Sequence, residues 1–127
     1  MKKLSLIFFA LLLATTTYAQ IEDLEILGDG DSINYDEGIN LEKPPKHLSL
    51  ASNDFDVKML SYIEMTMARG PRPVASKQFS KYKEFVEFDF EAWISEIAEK
   101  GDRVVFEFDK NNPSTDVGRQ VIVITIN

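Results

Sequence analysis

The feature that most constrains the fold is a pair of apolar segments that closes the sequence. The first places Val104, Phe106 and Phe108 on one face of an extended chain. The second, residues 120–126, is apolar at both parities, which is typical of a strand covered on both faces. A polar loop, 109–116, separates the two segments. The pattern predicts two antiparallel strands joined as a hairpin, with the last strand inside a sheet.

Residues 89–100 carry a helical pattern. The apolar positions recur at i, i+3, i+4 and i+7: Phe90, Trp93, Ile94 and Ile97. Asp89 is a suitable N-cap residue, and Gly101 stands where a left-handed residue commonly ends a helix. These signals predict one short helix over 89–100, with Trp93 buried against the sheet.

Residues 56–68 fit two patterns. Apolar side chains recur with period two, which favours a strand, but Met59, Ile63 and Met67 also share a helical face. Gly70-Pro71 could end either element. The residues alone leave both interpretations open.

The region before this point has weaker signals. Residues 21–27 alternate acidic and apolar side chains, and a turn cluster follows at 28–32. Pro44-Pro45 excludes a helix or a central strand, and 48–50 is long enough for a short strand. Residues 20–53 are therefore interpreted as an acidic N-terminal arm or edge strands, and 54–127 as the β-rich domain.

The N-terminus has the three parts of a secretory signal peptide. Lys2 and Lys3 precede an apolar run, 4–14, and a small residue, Ala19, precedes the expected cleavage site. The run is too short for a membrane-spanning helix, which needs about 20 residues. We expect a signal peptide at 1–19, a mature protein without a membrane-inserted segment, and a periplasmic or extracellular location.

The composition of the mature chain indicates which classes of partner it is expected to bind. Removing residues 1–19 leaves 108 residues, the size of one domain, and lowers the formal net charge from −7 to about −9 because Lys2 and Lys3 are lost. An acidic surface repels nucleic acid and anionic lipid, so neither is an expected partner. The chain has no cysteine, so its stability must come from packing.

The sequence offers little for catalysis. His47 is the single histidine, and it lies beside the Pro44-Pro45 break with no motif around it. Acid pairs such as Asp54 and Asp56, or Glu96 and Glu99, are expected by chance among 21 acids. We predict no catalytic residue, no cofactor and no dedicated metal site.

One acidic cluster is a weak calcium candidate. Asp29, Asp31, Asp36 and Glu37 surround a glycine, and such oxygen ligands can bind calcium. The cluster lacks the glycine and the final glutamate that a full calcium loop requires at its sixth and twelfth positions. An ordinary acidic turn is the competing interpretation.

The second half resembles a known family. Asp54-Phe55-Asp56 leads into the long strand, Gly101-Asp102 opens the next strand after the helix, and Gly118-Arg119 precedes the last one. In this order, the features are similar to the C-terminal domain of the GldM/PorM family, periplasmic shaft proteins of type IX secretion and gliding motility. The resemblance spans about 54–127, and residues 79–87 fit it poorly.

The resemblance implies a sandwich-like β domain with one short helix, which favours a strand at 56–68. It also implies a protein that works by contact and has no active site. Members of the family are longer and keep an N-terminal membrane helix, so the resemblance extends to a stand-alone relative of the terminal domain and not to a shaft or motor.

Together these observations predict an α+β protein, mainly antiparallel sheet or sandwich. The predicted function is a non-catalytic exported protein-interaction module, an accessory of a secretion or envelope assembly with a protein partner in the cell envelope. The alternatives are a secreted calcium- or carbohydrate-binding protein and, third, an envelope hydrolase. Aromatic residues are enriched at interfaces. The interface candidates are those of Tyr62, Phe79, Tyr82 and Phe85 that are exposed, chiefly Tyr82 and Phe85; the alternative is that these aromatics complete the core.

Overall fold

The computed structural model describes residues 24–53, 55–110 and 120–127. The strands form two antiparallel sheets, one with the order β2-β1-β3 and one with the order β5-β4-β6-β7. The strands are β1 (Glu25–Gly28), β2 (Asp31–Ser32), β3 (Leu48–Ala51), β4 (Leu60–Arg69), β5 (Arg72–Phe79), β6 (Arg103–Lys110) and β7 (Gln120–Thr125). This confirms the predicted α+β class, dominated by antiparallel sheet. The predicted signal peptide lies outside the described residues.

Strand β4 occupies most of the segment whose pattern was ambiguous. A single 3-10 turn, Val57–Met59, comes first, capped by the side chain of Asp56. From Leu60 the chain is extended, and Ile63, Met65 and Met67 are at most 1% exposed. The strand interpretation is therefore confirmed from Leu60 onward.

The closing hairpin is confirmed, but the position of its last strand is not. β6 and β7 pair antiparallel, with Val104 opposite Ile124 and Phe106 opposite Ile122. β7 lies at the edge of the sheet instead of inside it. Its buried and half-exposed residues alternate, so the apolar side chains of the second parity, such as Val123, are only half covered.

Two α-helices follow β5, where the sequence had predicted one. Helix α1 spans Tyr82–Glu87 and helix α2 spans Phe90–Ile97. The Asp89 carboxylate accepts a hydrogen bond of 3.0 Å from the backbone N–H of Ala92, as its predicted capping role requires. Helix α2 ends at Ile97, three residues before the predicted end, because other groups bind its last backbone atoms, as described below.

The helices and both sheets share one hydrophobic core. Trp93 is 6% exposed, which confirms its predicted burial. Its ring contacts Phe88 edge-on, with centroids 6.2 Å apart, and lies 6.0 Å from the ring of Phe90. Phe79 extends the aromatic cluster to Phe85 and Phe88.

The region interpreted as an arm or edge strands contains the three strands of the small sheet, and residues 24–53 contribute to this core. Ile26, Ile39 and Leu48 are at most 2% exposed, within the same cluster as the residues of the larger sheet. Ile39 also pairs in parallel with Ile126, just past the end of β7. The small sheet thus packs on the large one through the shared core, and the loop between β2 and β3 is joined to the end of β7 by backbone hydrogen bonds.

Candidate functional site

An open groove of about 560 Å³ has two sides. One side is formed by the 3-10 turn and the start of β4, and the other by helix α1 and the residues just before it. This volume is within the range of small-ligand sites, about 300–1,000 Å³. The groove is lined by Lys58, Leu60, Ser80, Lys81, Tyr82, Lys83, Val86 and Glu87.

Local hydrogen bonds fix the backbone that carries the lysines. Lys58 donates its backbone N–H to the carboxylate of Asp56 at 3.1 Å, which starts the 3-10 turn. Lys81 is the N-cap position of helix α1, with an extended backbone. The carboxylate of Glu84 accepts hydrogen bonds from both the backbone N–H and the hydroxyl of Ser80. These bonds fix the start of helix α1, where Lys81 and Lys83 flank Tyr82 in sequence.

Tyr82 connects the groove to the small sheet. Its hydroxyl accepts a hydrogen bond from the N–H of Leu50 at 3.1 Å and lies 3.3 Å from the carbonyl oxygen of Leu50, to which it donates. These two backbone groups point away from β1, on the side of β3 where a further strand would pair. The predicted interface residue Tyr82 therefore lines the groove, but its hydroxyl is bound to the protein itself.

The structure corrects the prediction that Phe85 is an interface residue. Phe85 is 1% exposed and lies in the core, where it contacts Phe79 edge-on at 5.6 Å. Phe79 is also buried, and Tyr62 is half-buried. The six residues of α1 form fewer than two helical turns, and Phe85 is the residue that they bury in the core.

The charge of the groove contrasts with that of the protein. Three lysines and one glutamate line it, whereas the whole chain carries 21 acids and 14 bases. In the sequence, the aromatic residues of the segment around Lys81 and Lys83, and not its charge, indicate an interface. Lys58 could not have been assigned to this surface, because only the packing of the 3-10 turn against α1 brings it there.

The most strongly hydrogen-bonded ion pair of the described residues has a structural role. Asp102, 2% exposed, receives two hydrogen bonds from the guanidinium of Arg69, at 2.9 and 2.8 Å. It also accepts the N–H of Glu99 at 2.8 Å, while Arg69 donates to the carbonyl of Ile97 at 3.0 Å. Hydrogen bonding to Arg69 lowers the pKa of Asp102. This network ends helix α2 early and fixes it to β4.

The acidic cluster 29–37 is spread over exposed turns. The carboxylate of Asp29 accepts the backbone N–H groups of Lys46 and His47, both at 3.0 Å, and these bonds lower its pKa. Asp31, Asp36 and Glu37 are exposed. Among the residues described, no three or more His, Cys, Asp or Glu side chains are grouped to hold a metal ion. Asp29, the first of the four calcium candidates, joins the β1–β2 turn to the segment before β3.

His47 is likewise part of a structural junction. Its Nδ1 lies 3.1 Å from the carbonyl oxygen of Phe88, and the neighbouring carbonyl of Lys46 accepts the N–H of Phe90 at 2.8 Å. The 46–47 segment is thus bound by Asp29 on one side and by the start of helix α2 on the other.

A second cavity, of about 400 Å³, lies beside Tyr35 and the ends of β1 and β3. The hydroxyl of Tyr35 accepts the N–H of Ile26 at 3.1 Å, and burial raises its pKa. Tyr35 therefore extends the hydrogen bonding of β1 beyond the two residues of β2.

The chain was compared with protein-family models, with curated proteins and with solved structures, and none of the three comparisons gave a match. No helix in the described parts of the chain has both the length and the apolar character needed to cross a membrane.

Proposed function

We propose that this protein is a non-catalytic, exported protein-interaction module and that the groove beside helix α1 is its binding surface. The observation that carries the proposal is the combination of Leu60, Tyr82 and Val86 with three lysines in one open groove of an acidic protein. Protein interfaces combine an apolar centre with a polar rim, and an open groove with apolar and charged lining residues can supply both.

The groups with a shifted pKa among the described residues, Asp29, Tyr35, Arg69 and Asp102, all lie outside the lining of this groove. Active sites commonly shift pKa values in a cleft, where the shifted group can meet a substrate. Here Asp29 and Asp102 have lowered pKa values because they bind backbone N–H groups or Arg69, and neither lines the groove. Their charges stabilise loops and a helix end instead.

The proposed location is the periplasm or the cell exterior, and the proposed role is that of an accessory in a secretion or envelope assembly. The signal-peptide pattern at 1–19 and the resemblance of 54–127 to the C-terminal domain of the GldM/PorM family motivate both parts. Intact mass of protein from the envelope fraction tests export. The expected species begins at Gln20, and a species that retains Met1 would contradict this part of the proposal.

Photo-crosslinking in the producing cells tests the binding surface. A photoreactive amino acid replaces Met59 or Lys83, one beside the groove and one in it, and Lys100 serves as an exposed control outside its lining. We expect a discrete crosslinked product with an envelope protein at Met59 and Lys83. Equal products at Lys100, or none at the two groove positions, would refute the groove as the binding surface.

A further inference from the structure

We infer that the groove binds an acidic peptide segment that carries one apolar anchor residue. This inference rests on the proposed function and specifies the chemistry of the partner. It is carried by the charge of the groove, by the kind of cation that lines it, and by the way the groove is held open.

The lining of the groove is positively charged, whereas the protein as a whole is negatively charged. Lys58, Lys81 and Lys83 face the groove together with one acid, Glu87, so the lining has a net positive charge. The rest of the chain is acidic and repels an acidic partner. An acidic segment is therefore attracted to this surface and repelled elsewhere, which favours one binding orientation.

The cations are all lysines, and this favours carboxylates along a peptide. Arginine presents a planar fork that matches a single phosphate or carboxylate, whereas lysine is a compact charge on a flexible stem. None of the arginines among the described residues lines the groove. Three separate lysines suit carboxylates spaced along an extended segment better than one compact anion.

The apolar residues at the groove are the reason to expect one apolar anchor residue in the ligand. Leu60, at the start of β4, is only 3% exposed, so the accessible apolar lining belongs to Tyr82 and Val86, both half-buried. Met59 follows the lining residue Lys58 in sequence without lining the groove itself, and it is 61% exposed, the largest exposed fraction of any large hydrophobic side chain in the described residues. Methionine adapts its shape to varied partners and is enriched at interfaces. A Leu or Phe of the ligand would bury this surface.

The groove is formed before any ligand binds. Phe85 fastens helix α1 to the core, and the hydroxyl of Tyr82 is bound to Leu50. The acids nearest the lysines in sequence, Asp56 and Glu84, already accept hydrogen bonds from Lys58 and Ser80. On the protein side, the lysine stems lose freedom on binding, while the backbone of the groove is already ordered, which lowers the cost of association.

Fluorescence anisotropy with labelled peptides tests the inference. The probe is a twelve-residue peptide of alternating Glu and Ser with one central Leu. One matched peptide replaces every Glu by Gln, and another replaces Leu by Ser. We expect the probe to bind at low ionic strength and to weaken as salt screens the charges. Both matched peptides should bind at least about tenfold more weakly, since several exposed ion pairs or one buried anchor each contribute about this factor.

A triple variant assigns the binding to the groove. Lys58→Gln, Lys81→Gln and Lys83→Gln together should weaken binding of the probe about tenfold. The control changes three exposed lysines outside the groove, Lys43, Lys46 and Lys100, to Gln, which alters net charge equally. The control should bind the probe almost as well as the unchanged protein. Equal losses in the two triple variants would overturn the inference, because binding would then follow net charge alone.

The outcomes separate this inference from the proposed function. Suppose groove crosslinks form in cells but the acidic probe does not bind, or binds no better than its Gln counterpart. The groove is then the interaction surface, and the acidic chemistry is refuted. The inference would also be refuted if inorganic phosphate displaced the probe when both are present at the same concentration of negative charge. The groove would then be a simple anion site. Absence of both crosslinks and probe binding would refute the two proposals together.

Discussion

The hydroxyl of Tyr82 binds both backbone polar groups of Leu50, accepting its N–H at 3.1 Å and donating to its carbonyl at 3.3 Å. A single side-chain atom thus occupies the position that a neighbouring strand would take beside β3. An edge strand with free N–H and C=O groups can pair with another chain, and natural proteins block such edges. Tyr82 blocks part of this edge while its ring lines the groove.

Tyr82→Phe tests this relationship. It keeps the ring and removes both hydrogen bonds, so we expect a loss of about 1–3 kcal/mol in the free energy of unfolding. Amide hydrogen exchange should accelerate at Leu50 more than at Leu27, which lies within the β1–β3 pair. Unchanged exchange at Leu50 would show that the hydroxyl does not protect the edge.

Gly38→Ala should be strongly destabilising. Gly38 has a φ of +76°, and a Cβ there would lie 2.2 Å from the carbonyl oxygen of Thr125. Gly30→Ala is the matched control, since Gly30 has a φ of +86° but nothing within 4 Å of the added carbon. The control should lose about 1–2 kcal/mol from backbone strain alone. Chemical denaturation should show a clearly larger loss for Gly38→Ala, and equal losses would contradict the close approach of these segments.

Asp102→Asn should change the pH dependence of stability. The pKa of Asp102 is lowered in the folded protein, chiefly by hydrogen bonding to Arg69. Its stabilising effect is therefore complete above the unfolded pKa of about 3.9 and is lost as pH falls through the lower folded pKa. We expect Asp102→Asn to lower the free energy of unfolding at pH 7 by about 1.5–3 kcal/mol and to flatten its decline below about pH 4.

Glu99→Gln is the control for that measurement. Glu99 also lies 3.2 Å from Arg69, but its side chain is 67% exposed, so solvent screens the pair. The expected change at pH 7 is below about 1 kcal/mol. An Asp102→Asn protein with the pH profile of the unchanged protein would contradict the role assigned to this carboxylate.

Trp93→Ala tests the packing of helix α2. The indole is 6% exposed and contacts two phenylalanine rings, so its loss should cost about 3–5 kcal/mol. Glu96→Ala changes an exposed residue of the same helix and should stay within about 0.5 kcal/mol. A similar denaturation midpoint for both variants would show that the helix contributes little to the core.

Three strands of the larger sheet, β4, β6 and β7, and helix α2 were predictable because their patterns are regular, whereas β5 was not predicted. Ten residues of β4 and the i, i+3, i+4, i+7 stripe of α2 each repeat their pattern several times. Helix α1 has only six residues and no side-chain hydrogen bond at its N-cap, so it offers no comparable signal. The end of α2 was misplaced because Arg69, far away in sequence, binds the carbonyl of Ile97.

The candidate site was only partly predictable for a similar reason. Tyr82 was selected by residue type, and it does line the groove. The same criterion selected Phe85, because composition cannot tell which side of a short helix faces the core. The contribution of Lys58 depends on long-range packing of the 3-10 turn, and no local pattern contains that information.

The pairing of Ile39 with Ile126 has a consequence for how the fold is reached. The segment around Ile39 is also joined to the end of the chain by the hydrogen bond from the Asn127 side chain to the carbonyl of Glu37, 90 positions earlier. Closing so large a loop is entropically costly, and folding that depends on distant contacts is slow. The loop between β2 and β3 can therefore reach its final position only once residues 120–127 are in place, so we expect this contact to form late in folding.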